Sequence, residues 1–287
     1  MTAKEFLKIK LEEEVLLYEK KLEDLDKEVF DSILKRWSED SHFLEEHRFV
    51  LINILIPDAK NKKILDMAAG CGSFVVQGVQ NGYDTYGVEP EDWKHELIDL
   101  KFRDYNYNPE WRQRVVKGVG EDLPYEDETF DIFDSWQTIE HVQDQEKCIH
   151  ELYRVLKKGG CGILRGPNYF CFHEGHYRML WFPMLNPKSK LAEWYVGKIR
   201  KRPLEGLDTF VTVSPRKIRK YAKDAGFEIV NIKRKQIYDA AIRRMPFLKY
   251  QIFKPVLWGI YLMWDFYRAL KKIGLGQRTI SYLFVKN

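Results

Sequence analysis

The sequence has no apolar run of the roughly 20 residues that a membrane-spanning helix requires. Its longest apolar stretch, residues 255–264, is closed off by Lys254 and Asp265, so the expected protein is soluble or at most peripheral to a membrane. It has only four cysteines, Cys71, Cys148, Cys161 and Cys171, none in CxxC spacing. That spacing gives no support to a dithiol redox site or a zinc knuckle, and free thiols in a reducing cytoplasm are the simplest expectation. The first residues are rich in Lys and Glu and lack the apolar core of a secretory signal. Excess charge of one sign is also lacking: 47 basic residues stand against 43 acidic ones, a net charge of +4, so nucleic acid is not expected as a partner. There is no internal repeat and no low-complexity tract.

What is present is an ordinary globular composition, 45 % hydrophobic and 31 % charged. Apolar residues recur at steps of three and four through Leu7, Leu11, Val15, Tyr18, Leu22, Leu25, Val29 and Ile33. The spacing predicts one amphipathic helix over about residues 4–37, packed on the rest of the chain rather than paired in a coiled coil. A second helix is predicted over about 41–56, ending at Pro57. From residue 63 strands and helices alternate: strands at about 63–67, 84–88, 114–118, 130–134 and 161–165, with helices to about residue 80, over 93–100 and over 145–156. Gly159 and Gly160 are expected to stop the last of these helices. A helix over 215–224 and strands over 227–232 and 279–285 complete the pattern. Alternation of this kind predicts an α/β fold with a doubly wound sheet of seven strands. The expected organisation is an N-terminal helical segment, 1–58, and a catalytic domain, 59–287, with inserted lids at about 168–213 and 238–278.

The first strand runs into a turn, Asp66-Met67-Ala68-Ala69-Gly70-Cys71-Gly72-Ser73-Phe74. A strand, a Gly-rich turn and a helix together form a ligand platform, because the turn lets a ligand approach the backbone closely. A nicotinamide dehydrogenase would need a third glycine, and Val75 stands there instead. Glu89, seventeen positions after Gly72 at the end of the second strand, can accept hydrogen bonds from both hydroxyls of a ribose.

Four segments in order carry a family resemblance. Residues 66–74 resemble the first motif of class I S-adenosylmethionine-dependent methyltransferases. Tyr86-Gly87-Val88-Glu89-Pro90 resembles their second-strand acidic motif. Residues 118–131, with Gly120-Glu121-Asp122-Leu123-Pro124, are similar to the stretch that lines the adenine. Residues 151–160 resemble the lead-in to strand five. The resemblance covers about residues 60–168 and implies a Rossmann-like fold and S-adenosylmethionine as cofactor. It also implies roles. Asp66 would organise the turn and the methionine end. Ala68, Gly70, Cys71, Gly72 and Phe74 would form the turn around the cofactor. Glu89 and Pro90 would hold the ribose. Gly120, Glu121 and Asp122 would meet the adenine, and Ser135, Trp136 and Gln137 would lie along the methionine and face the acceptor. Ala68 departs from the family's first turn glycine, and its methyl is expected to be tolerated with a negative φ. Val119 stands where relatives carry an adenine-contacting Asp.

Methyl transfer needs alignment of acceptor, methyl and sulfur, and a hydroxyl acceptor gains from a base. His141, just after the fourth strand, is the first candidate; capping or packing is its alternative role. His173, Glu174, His176 and Tyr177, after the fifth strand, are a second set, as acceptor contacts or base, with a structural turn as alternative. Metal is not expected, because the His-Glu-x-x-His spacing is missing. The two lid regions interleave aromatic and basic residues. From 243 to 278, Arg243, Arg244, Lys249, Lys254, Arg268, Lys271, Lys272 and Arg278 face only Asp265, which suits either a packed lid or a membrane contact through 240–277. The expected function is methyl transfer to a small molecule or saccharide, with O-methylation of a glycan or lipid-linked sugar as the specific expectation. A quinone or natural-product phenol is the alternative acceptor. A non-catalytic, membrane-associated cofactor-binding protein is the alternative of another class. The expected location is the cytoplasm or the inner face of its membrane, and a homodimer is compatible with the sequence.

Overall fold

A computed structural model describes residues 1–21, 27–40, 43–169, 173–232 and 279–287. Seven strands form one sheet: β1 (Lys63–Met67), β2 (Asp84–Glu89), β3 (Val115–Lys117), β4 (Phe130–Trp136), β5 (Leu156–Pro167), and, after the two-strand hairpin β6 (His173–Glu174) and β7 (Met179–Leu180), β8 (Phe227–Asn231) and β9 (Thr279–Lys286). Their spatial order is β3-β2-β1-β4-β5-β9-β8; β9 is antiparallel to both neighbours, and β1 to β5 are parallel. This is the predicted doubly wound α/β sheet. The chain leaves β1 in both directions, towards β2 and β4, and that switch point opens a crevice beyond the strand carboxyl ends.

Both faces of the sheet are covered, which is why Ile64, Leu65 and Met67 of β1 and Phe130, Ile132 and Phe133 of β4 are buried. The helices include α3 (Phe43–Leu55), α4 (Ser73–Gln80), α5 (Asp92–Asp104), the short α6 (Pro109–Arg112), α7 (Gln145–Val155), α8 (Lys190–Trp194) and α9 (Pro215–Ala225), preceded by α1 (Ala3–Leu16) and α2 (Lys27–Glu39). Ile64, Ile132 and Ile163 pack against Phe49, Ile52 and Phe74 on the α3–α4 side. Leu65, Met67, Phe133 and Leu164 share the opposite core with Cys148, Ile149 and Leu152 of α7.

Two boundaries differ from the sequence reading. The single helix over 4–37 is two helices. The chain leaves α1 after Leu16 because its next residues bind elsewhere: the Leu17 carbonyl accepts from Gly206 N at 3.1 Å, and Tyr18 packs edge-on to Tyr177. Leu22 and Leu25 lie outside the described residues. The helix before β5 also ends earlier, at Val155 rather than at the glycines. Leu156 is buried and pairs with Phe130 in the sheet, while Lys286 donates to the carbonyls of Tyr153 and Leu156 at 3.0 and 2.6 Å and so closes the helix end. Gly159 and Gly160 instead form an irregularity inside β5: Gly159 has φ +76°, and a side chain on Gly160 would sit 2.9 Å from the Asp131 carbonyl.

The described residues of the 168–213 lid form a cap. Tyr169, Tyr177, Trp181, Val196, Phe210 and Val213 are buried and continuous with the main core. No helix among the described residues is long and apolar enough to cross a membrane. The 238–278 lid and its basic cluster lie outside the described residues.

Candidate active site

The turn after β1 closes on β2. Ala69 N donates to the Val88 carbonyl at 2.9 Å, and Gly70 N donates to Glu89 Oε2 at 2.8 Å. A side chain at Gly87 would stand 2.6 Å from the Ala69 methyl, so β2 needs glycine there. Ala68 has φ +62°, which corrects the expectation of a negative φ: the backbone must take the left-handed conformation to bring Ala69 and Gly70 to β2, and the methyl is strained. Glu89 is buried. Its other oxygen accepts from Glu91 N at 3.2 Å and pairs with Lys94 at 3.4 Å. Burial pushes this carboxyl up from its ordinary value, with Lys94 and the two backbone N–H groups opposing.

Other motif residues take different places. Asp66 faces α3, where the Arg48 guanidinium pairs with it and donates from Nε to Asp134 at 2.6 Å. Arg48 also lies over the Phe74 ring, 3.9 Å from its centroid, and Phe74 stacks on Phe49 at 4.3 Å. Phe74 is therefore part of the floor under the turn rather than a wall of the crevice. The Cys71 side chain packs with Ala3, Phe6, Leu7 and Leu97 beneath α1, and its carbonyl accepts from the buried Lys101 at 2.7 Å. Sequence reasoning assigned Phe74 and Cys71 to the cofactor; their side chains serve the scaffold.

Across the crevice, the loop after β3 carries Gly120, Glu121 and Asp122. A side chain at Gly120 would meet Cys148 Sγ at 3.0 Å, so glycine lets this loop lie on α7. Glu121 accepts from Gln143 N at 2.8 Å and Asp144 N at 3.2 Å, tying the loop to the segment after β4. Asp122 and Pro90 are exposed. At the end of β4, Ser135 is buried and its hydroxyl has no partner among protein atoms. Trp136 lies under the Arg165 guanidinium at 4.0 Å, and Gln137, at φ +53°, turns the chain outward.

The structure brings three of the five catalytic candidates together. His176 Nδ1 bonds to Glu174 Oε1 at 2.7 Å, and Tyr177 N donates to Glu174 Oε2 at 2.7 Å. Burial alone would raise the Glu174 carboxyl, but these bonds and the His176 charge hold it low. Burial alone would lower His176, and the Glu174 carboxylate raises it instead. The His176 ring stacks between Tyr18 and Phe210, at 5.6 and 5.0 Å, and meets the edge of His141 at 5.3 Å. His141 Nδ1 donates to the Thr209 carbonyl at 2.8 Å, which leaves Nε2 as its basic nitrogen. The His141 side chain reaches solvent, but the protein atoms crowded around it and the nearby His176 lower its imidazole to about 4. The other two candidates differ in role. The Tyr177 hydroxyl donates to the Pro203 carbonyl at 2.9 Å, and burial pushes it up; it is a packing residue of the cap. His173 pairs with Leu180 in the β6–β7 hairpin, and burial lowers its imidazole.

Sequence reasoning missed five contributors. Glu140 is buried with Oε2 unpartnered, and burial raises its carboxyl to about 7. Glu14, on α1, is raised by burial and feels Lys94, Glu91, Glu89 and His176, which places the end of α1 between the Glu89 side and the histidine side. Tyr18 donates to Thr209 Oγ1 at 2.6 Å, and Arg48 holds the floor. Lys94, five positions beyond Glu89, was legible as a cation near the acid; nothing local marked Arg48 or Tyr18. Among the described residues no three His, Cys, Asp or Glu groups are arranged to hold a metal ion.

The crevice fits the cofactor implied by the motifs. A side chain at Gly70 would meet nothing within 4 Å, so the space over the turn is open. Glu89 stands beside that space, and the buried Ser135 hydroxyl is unsatisfied at its β4 edge.

Residues 65–164 match the family model described as a methyltransferase domain. Over 170 residues the chain is 31 % identical to the 2-methyl-6-phytyl-1,4-hydroquinone methyltransferase of Spinacia oleracea, covering 58 % of this chain and 46 % of that protein. It is 28 % identical over 129 residues to a ubiquinone/menaquinone biosynthesis C-methyltransferase of Geotalea daltonii, covering 42 % of this chain and 54 % of the relative. The chain thus spans about half the length of these relatives. The YcgJ protein of Bacillus subtilis shares the fold with a TM-score of 0.52 at 17 % identity, over 84 % of this chain and 99 % of that one.

Proposed function

We propose that this chain, a class I methyltransferase by its fold and by the methyltransferase domain over residues 65–164, uses S-adenosylmethionine to methylate a phenolic acceptor of the hydroquinone type. The observation that carries the reading is that two features lie within electrostatic reach of one residue, Glu14 at the end of α1. One is the turn with Glu89. The other is a Glu174–His176 dyad walled by Tyr18 and Phe210. The names of the relatives support an aromatic diol acceptor and give no support to the expected saccharide.

When bound, S-adenosylmethionine supplies an electrophilic methyl group on a sulfonium sulfur. Glu89 would accept from ribose hydroxyls, and the open side of the turn would receive the methionine end. Tyr18 and Phe210 stack on the His176 ring and hold the imidazole in place for the acceptor. His176 takes the phenolic proton on Nε2, and Glu174 stabilises the resulting imidazolium through Nδ1. The phenolate would then form the new bond to the methyl group as the methyl–sulfur bond breaks and the sulfur leaves as a neutral thioether; methylation at a ring carbon would also release that carbon's proton. His141, held neutral, covers the edge of His176 and keeps a second cation out of the site.

The test is label transfer from methyl-tritiated S-adenosylmethionine to a panel of a prenylated hydroquinone, a simple phenol and a saccharide. Label in the hydroquinone, lowered by about a hundredfold or more in His176→Ala, supports the reading. Label in the saccharide alone overturns the acceptor class, and label in none of them overturns catalysis.

A further inference from the structure

The outer face of the cap has no role in the site. Leu180, Phe182, Leu191, Trp194, Ile199 and Leu204 are all exposed there. They lie together: Phe182 packs on Tyr195 at 5.3 Å, Tyr195 donates to the Leu180 carbonyl at 2.8 Å, and Leu204 lies against Gly197. Leu191 and Trp194 are one turn apart on α8. Lys188, Lys190, Lys198, Arg200 and Lys201 are exposed in the same stretch, and between residues 180 and 204 only Glu193 opposes them.

Large apolar side chains exposed in a group mark a contact surface. Their mixture with cations, and an exposed Trp, match the chemistry of an anionic bilayer, where apolar groups enter the headgroup boundary and Lys and Arg pair with lipid phosphates. We propose that this cap face docks the protein on an anionic membrane surface. The cap's inner side carries His176 and Phe210, so docking sets the histidine side of the crevice close to the lipid. The assignment stands on exposure and charge and does not depend on which acceptor is methylated.

Flotation of the full chain with phosphatidylglycerol-containing vesicles, compared with phosphatidylcholine alone, tests it. The wild type is expected to float with the anionic vesicles, and less so at high salt. Leu191→Glu with Trp194→Glu, and separately Lys198→Glu with Arg200→Glu and Lys201→Glu, are each expected to weaken partitioning about tenfold or more, with thermal melting unchanged. Three results would overturn the proposal. The first is a wild type that stays with the buffer, and the second is variants that float as well as it does. The third is variants that turn an oligomeric wild type into a monomer or make residues 233–278 newly sensitive to protease, which would assign the face to a second copy or to the chain itself.

Discussion

Glu140 gives the sharpest energetic prediction. Its carboxyl is 1 % exposed, Oε2 has no partner, and burial raises it from 4.5 to about 7. The folded state therefore holds this proton more tightly than the unfolded chain does. Between the two values the native state binds more protons, so this group's contribution to stability falls as pH rises from the ordinary carboxyl value and levels off above about 7. A shift of this size corresponds to about 3 kcal/mol of destabilisation once the group is ionised in both states. Because the side chain is fully buried, solvent does not discount the figure. Glutamine has the same shape and cannot ionise. Urea denaturation of the wild type and Glu140→Gln across pH should give curves that diverge in favour of the variant. Between about pH 5.5 and pH 8.5 the difference should grow by roughly 2 kcal/mol. The absolute offset includes the new amide's own hydrogen bonding, so the slope is the quantity to read. Parallel curves over that range would refute the reasoning.

Three further outcomes follow from the same geometry. Arg48→Met removes the cation shared by the buried Asp66 and Asp134 and should cost about 3–5 kcal/mol in urea unfolding; a loss below about 1 kcal/mol would refute its role as the floor. Ala68→Gly relieves a left-handed alanine at φ +62° but frees the unfolded chain, for a net gain of about 0.5 kcal/mol, read as a small rise in melting temperature; a fall would contradict the strain. Glu174→Gln removes what raises His176. If the neutral imidazole is the base, activity in the wild type fades as pH falls below a raised value. In the variant that acid limb of kcat/KM should move to lower pH while kcat drops, and an unmoved limb would assign the base elsewhere.

Much of the fold was legible because its determinants are local. The buried runs around Ile64, Val88, Ile132 and Ile163 lie in sheet strands close to where alternation placed them. The turn with Glu89 was legible for the same reason, since strand, turn and acid follow one another in sequence. What escaped was decided by contacts distant in the chain. The helix of 4–37 breaks because Leu17 and Tyr18 answer to Gly206, Thr209 and Tyr177, all far along the chain. Gly159 and Gly160 looked like a helix stop, but Lys286 had already closed α7. Cys71 and Phe74 sit inside the turn motif, yet α1 and α3 cover their sides of it. Of the histidine candidates, His141 and His176 were legible as residue types; their meeting with Tyr18 and Phe210 depends on how the cap folds back.

The central claim is that the turn after β1 and Glu89 together hold S-adenosylmethionine. Calorimetric titration of the full chain with S-adenosylmethionine, beside Glu89→Gln, tests it most directly. One site should appear in the wild type, and affinity should fall about tenfold or more when Glu89 no longer offers a carboxylate to the ribose, with thermal melting showing the variant folded. Absence of binding by the wild type, or equal affinity in a folded Glu89→Gln, would contradict the account.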